Sequence, residues 1–176
     1  MKRRPTRVIA LLRKFTKVLF VFVLFAAPVT LAIADAGRHD RPYLGSCDTV
    51  IPPPPASFPA IVEIGLSCRV RHLGLTTGTI AQTLNAAGPP LNGVLPLTIT
   101  DGHITYIAAN GDELHATFEG DASINFATGT IEFAGIETFS GGTGRFSDAS
   151  GTSNLEGSAS AVSLTGFYVT AGSLSY

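Results

Sequence analysis

Val62-Glu63-Ile64-Gly65-Leu66-Ser67-Cys68-Arg69-Val70-Arg71 alternates between two faces without a break. A period of two belongs to a half-buried β-strand, because successive side chains leave opposite sides of the pleat. Val62, Ile64, Leu66, Cys68 and Val70 form an apolar face, and Glu63, Ser67, Arg69 and Arg71 a polar one. Downstream, Gly, Thr, Ser and β-branched residues dominate, and no long stretch carries a 3.6-residue apolar period. The same reading predicts strands at 75–84, 94–100, 103–109, 112–126, 130–139, 152–162 and 165–176. Eight strands with short connections over residues 60–176 predict an all-β domain, a closed antiparallel barrel or a sandwich.

Asn110-Gly111 separates two of these runs. A two-residue type I′ turn needs φ > 0 twice, which this pair tolerates. Such a turn sets Ile107 opposite Leu114, Thr105 opposite Ala116 and His103 opposite Phe118. This face is the apolar one and is expected inside, carrying His103 with it. Tyr106 and His115 are then expected to pair outside. A register change of one residue reverses the assignment.

Residues 117–139 also align without gaps on 154–176, an offset of 37. Glu119-Gly120 matches Glu156-Gly157, Thr128-Gly129 matches Thr165-Gly166, and Ala134-Gly135 matches Ala171-Gly172. Two similar hairpins are expected, each turning near Thr-Gly and bending at Ala-Gly. Between them lies Gly141-Gly142-Thr143-Gly144-Arg145-Phe146-Ser147-Asp148-Ala149-Ser150-Gly151. Its glycines, Gly142, Gly144 and Gly151 among them, predict a tightly shaped turn with Phe146 as its plug.

Upstream of the domain, residues 35–59 are rich in Pro, Gly and Asp and are expected to form an irregular arm containing Pro52-Pro53-Pro54-Pro55. Cys47 lies in this arm and Cys68 on the apolar face of the first strand; they are the only two cysteines. In an exported protein the simplest expectation is one disulfide, fastening the arm from inside.

Export is read from the N-terminus. Residues 1–17 carry seven basic residues and no acid, an uncharged apolar run spans 18–34, and Ala32-Ile33-Ala34 precedes Asp35. Basic, apolar, then small is the order of a secretory signal peptide, expected as a helix over 1–34 and removed. A retained anchor is the alternative, but the run is marginal for spanning and contains Pro28. With cleavage there, no stable membrane anchor remains, and the protein is secreted or periplasmic. Residues 35–176 hold five arginines, no lysine and thirteen acids, a net charge of −8. Such a surface repels nucleic acid and anionic headgroups.

Gly142-Thr143-Gly144-Arg145-Phe146, followed by Ala149 and Gly151, resembles the glycine-rich turn of the dirigent proteins and the allene oxide cyclase barrels. The wider pattern, 106–114, 138–151 and a last strand ending in Ser175-Tyr176, resembles exported bacterial proteins of unassigned function. The resemblance implies an eight-stranded antiparallel barrel with an apolar cavity, trimeric in plant relatives. Its enzymes cyclise a fatty-acid epoxide, and dirigent proteins steer phenoxyl-radical coupling. Only the turn residues carry across, including Arg145, Phe146 and Ala149; the catalytic residues of neither family match this chain.

Chemistry-bearing motifs are otherwise scarce. The sequence has no phosphate loop with its lysine, no G-x-S-x-G elbow, no HExxH and no calcium-loop spacing. No cofactor, metal or catalytic residue is assigned. Strict alternation through 131–139 places Glu137 with Ile131, Phe133 and Phe139 on an inner face, where burial would raise its pKa. A bulge at Ala134-Gly135 would instead turn it outward, or it could pair with Arg145. Glu137, His103, Phe118 and Phe133 are the candidate ligand contacts. The leading expectation is a non-catalytic exported barrel that holds a small apolar ligand or self-associates. A barrel isomerase or cyclase and a structural envelope protein are the alternatives, and a dry interior packed by Phe118, Phe126, Phe133 and Phe139 would favour the last.

Overall fold

The computed structural model describes residues 40–176. The expected signal peptide, 1–34, lies outside the described residues. The eight strands are β1 (Arg41–Val50), β2 (Ala60–Val70), β3 (Gly74–Ala86), β4 (Val94–Ile107), β5 (Glu113–Asn125), β6 (Thr130–Gly142), β7 (Ser150–Ser160) and β8 (Thr165–Ser175). Each pairs antiparallel with the next, and β8 returns to β1, closing a barrel. Most interior positions are apolar and most outward ones polar.

The strand count matches the expectation, but two of its members differ. The arm expected to be irregular supplies β1, whose register with β8 runs from Arg41–Leu174 to Val50–Thr165 and completes the barrel. Among the described residues of the arm, Asp40 and the segment from Ile51 to Pro59 stay outside the strands. Conversely, the expected strands 94–100 and 103–109 are one strand, β4, interrupted by a bulge. Ile99 pairs with Gly120 and Gly102 with Phe118, so Thr100 and Asp101 face one residue of β5. Asp101 takes a left-handed φ of 52° there.

The β4–β5 turn corrects a second expectation. Ala108 N–H donates to Asp112 O and Gly111 N–H to Ala108 O, which leaves a three-residue loop in which Gly111 alone has positive φ. That geometry is the type I turn with a glycine bulge. The loop is one residue longer than the type I′ turn, so Ile107 faces Glu113 and Tyr106 faces Leu114. Leu114, Ala116 and Phe118 do point inward as expected. On β4, however, the inner residues are Ile104 and Tyr106, and His103 is exposed.

The echoing segments do form two hairpins, β5–β6 and β7–β8. Their closing pairs are Asn125–Thr130 and Ser160–Thr165, so the structural offset is two residues shorter than the sequence offset. Thr128-Gly129 is a turn; Thr165-Gly166 opens β8. Ala134-Gly135 lies in unbroken register, with Gly135 directly opposite Gly120. Gly135 serves packing instead: a Cβ there would lie 2.6 Å from the Phe118 ring.

The glycine-rich turn closes one end of the barrel. Gly144–Phe146 forms a short 3₁₀ turn that buries Phe146 completely. The Phe146 ring meets Tyr176 edge-on at 5.0 Å. Thr143 N–H donates to Glu113 O, and Glu113 N–H donates to Thr143 Oγ1, so the turn is stitched to the start of β5. Gly144 has φ 54°, and a Cβ there would lie 2.0 Å from the Asp112 carboxylate. Arg145 meets that same carboxylate through Nε at 3.7 Å, so its partner is Asp112 and not Glu137.

Candidate functional site

The barrel interior has two unlike halves. Toward the β1–β2 connection it is open and apolar. Pro52-Pro53-Pro54-Pro55 form part of the wall of a cavity in which the centre of a water molecule can occupy about 80 Å³. Val62, Ile80, Leu97 and Ile124 contribute aliphatic walls, and Phe118, Phe133 and Tyr168 contribute rings. Among the described residues, none that lines it is charged. Of the four phenylalanines whose packing into a dry interior would favour a structural role, Phe118 and Phe139 are buried, Phe133 borders the cavity and Phe126 is exposed at a turn.

Polar side chains fill the adjoining half. Glu137 points inward from β6 and is 0 % exposed. Tyr106 from β4 donates a hydrogen bond to its Oε1, and Ser153 from β7 donates one to its Oε2. Thr170 from β8 lies 2.8 Å from both Oε2 and Ser153 Oγ. The Tyr168 hydroxyl is 2.9 Å from that of Tyr106, and since the Tyr106 O–H donates to the carboxyl, Tyr168 donates to Tyr106. Tyr43, from β1, is equally buried; its ring meets Phe139 at 4.6 Å, and among the described residues its hydroxyl has no hydrogen-bond partner.

The electrostatics follow from burial without a cation. Among the described residues no basic side chain pairs with Glu137. Desolvation pushes its pKa above the ordinary carboxylate range, and the hydroxyls of Ser153, Tyr106 and Thr170 oppose that shift. Desolvation likewise raises the phenols of Tyr43, Tyr106 and Tyr168, reinforced at Tyr43 and Tyr168 by the Glu137 charge. The group can therefore hold a proton on a buried carboxyl, relayed by hydrogen bonds to a cavity-lining phenol.

Among the four expected ligand contacts, Phe118 and Phe133 border the cavity. Glu137 is inside but is enclosed by hydroxyl groups, and His103 is outside. Cys47 and Cys68 are directly opposed on β1 and β2, bonded to each other and buried. The tyrosines are the residues that sequence reasoning missed, since Tyr106 was expected outside, Tyr168 on a strand face or rim, and Tyr43 in the arm. Tyr43 shares strand parity with Cys47, a signal available in the sequence once 41–50 is read as a strand. Among the described residues no cluster of His, Cys, Asp or Glu could hold a metal ion. No protein-family model, curated protein or solved structure matches this chain. The class defined by fold and site is an eight-stranded antiparallel barrel, disulfide-bonded between its first two strands, with a cavity beside a buried tyrosine–carboxyl cluster.

Proposed function

We propose that this protein is an exported, non-catalytic barrel that holds one small apolar ligand. The carrying observation is the uncharged cavity, walled by aliphatic and aromatic side chains and by the proline run. Small eight-stranded barrels are either filled by side chains or hold one small ligand, and here space remains. The resemblance of the Gly142–Gly151 motif to allene oxide cyclase and dirigent barrels supports the same reading. Export rests on the basic–apolar–small N-terminus, and a disulfide is in keeping with an oxidising compartment. Displacement of an apolar fluorophore tests binding. Ala159 and Ala122 both border the cavity, so Ala159→Phe or Ala122→Phe should abolish uptake while far-ultraviolet circular dichroism stays unchanged. Equal uptake by folded variants and wild type would refute the assignment.

Catalysis is the second reading. It is favoured by one observation: Tyr168 both borders the cavity and is hydrogen-bonded to the partner of Glu137. An isomerase or cyclase would use that chain for proton transfer to a confined substrate. Self-association is compatible with either reading, since Leu44, Ile136, Phe167 and Val169 are apolar and exposed on β1, β6 and β8.

A further inference from the structure

We infer that the ligand is electrically neutral and carries a single hydrogen-bonding oxygen, as in an alcohol or a ketone, on an otherwise apolar body. This rests on the proposed binding role and specifies its chemistry. The cavity is apolar apart from Thr49, Gln82 and Tyr168. Gln82 is 7 % exposed; its carboxamide makes no side-chain hydrogen bond among the described residues and, unlike the Thr49 hydroxyl, is not sealed from solvent. Thr49 is buried at 4 %, and its hydroxyl also lacks a partner. Buried polar groups normally find partners, and leaving one unsatisfied is costly. The unpartnered Thr49 hydroxyl and the accessible Gln82 amide, both bordering one apolar cavity, mark where a ligand oxygen is received.

Charge decides against an acid. Among the described residues no arginine borders the cavity, and residues 35–176 contain no lysine. Arg41 lies against Tyr176 and Arg145 against Asp112, at the glycine-turn end of the barrel. The ionisable group closest along the hydrogen-bond chain is Glu137, reached from Tyr168 through Tyr106. A carboxylate entering the cavity would lose its hydration, meet no cation and face a second carboxyl. An alcohol keeps both its donor and its acceptor satisfied by Gln82, which offers one of each.

The test compares octane, 1-octanol and octanoate as competitors of an apolar fluorophore at mildly alkaline pH, where octanoate is ionised. Octanol should compete at least tenfold better than octanoate. Gln82→Leu should weaken octanol about tenfold and leave octane unchanged. Octanoate competing as well as octanol would overturn the inference while leaving the binding role intact. Octanol affinity unchanged in both Gln82→Leu and Thr49→Val would also overturn it. Failure of all three compounds, and of the fluorophore, would instead remove the binding role itself. The wild-type comparison stands even where a variant fails to fold.

Discussion

Tyr168 and Tyr106 touch hydroxyl to hydroxyl at 2.9 Å, and the contact is the junction between the two halves of the barrel interior. Tyr168 borders the apolar cavity; Tyr106 donates to the buried Glu137 carboxyl. Replacing Tyr106 by Phe should remove one donor from Glu137 and orphan the Tyr168 hydroxyl. The expected loss is about 1–3 kcal/mol in denaturant unfolding, with apolar ligand uptake retained.

Glu137 makes stability pH-dependent in a stated direction. Its folded pKa is raised above the ordinary value near 4.5, so the folded state binds the proton more tightly than the unfolded state. The stabilisation is complete below that value and is lost as pH rises through the folded one. Glu137→Gln removes this slope. Its amide cannot accept from all three hydroxyls, at a cost of about 1–3 kcal/mol. The variant should therefore be less stable than wild type in acid, with the gap narrowing as pH rises. Urea unfolding over a pH series measures both curves.

The tyrosines act at the alkaline end. Tyr43, Tyr106 and Tyr168 have folded values raised above the ordinary 10.0. Their contribution to stability is present below that value and lost as pH rises beyond it. Ultraviolet titration should show phenolate absorbance from these three only as circular dichroism reports unfolding. Early ionisation of all tyrosines in a folded barrel would contradict the burial described above.

Two glycines of the closing turn should respond unequally to alanine. Gly144→Ala meets a left-handed φ and a side-chain carboxylate, a cost of about 1–2 kcal/mol. At Gly142 a Cβ would lie 1.9 Å from the backbone oxygen of Glu113, which cannot swing aside. Gly142→Ala should cost about 3 kcal/mol. Paired denaturation curves give the order, and the reverse order would refute the packing assigned to this turn.

Reduction of Cys47–Cys68 should lower stability by about 3 kcal/mol, since the bond closes a loop with a sequence separation of 21. Denaturation with and without reductant, or of the double serine variant, measures it.

How much of this was legible follows from what each residue's signal depends on. The alternation around Cys68 and the apolar face of β5 depend only on neighbours in sequence, and both hold in the barrel. Glu137 obeys its strand period because the register of β6 runs unbroken through Ala134-Gly135. His103 and Tyr106 could not be placed this way, because a single extra loop residue at the β4–β5 turn exchanges the faces of β4. β1 was masked by its Pro, Gly and Asp content; its strand character comes from pairing with both β2 and β8, a long-range cause. The cavity and its unpartnered Gln82 belong to the closed barrel alone, because their walls come from strands far apart in sequence.

The bulge at Thr100-Asp101 carries one more consequence. Before it, β4 turns odd-numbered residues inward, Leu95, Leu97 and Ile99; after it, even-numbered ones, Gly102, Ile104 and Tyr106. Asp101 thus sets the phase of the strand. Were β4 to keep all its residues but run without this bulge, unbroken alternation would turn His103, Thr105 and Ile107 into the barrel and Tyr106 out. The chemistry beside Glu137 is buffered there by an outward kink that absorbs one surplus residue, so that the strand could lose that residue without exchanging any interior side chain.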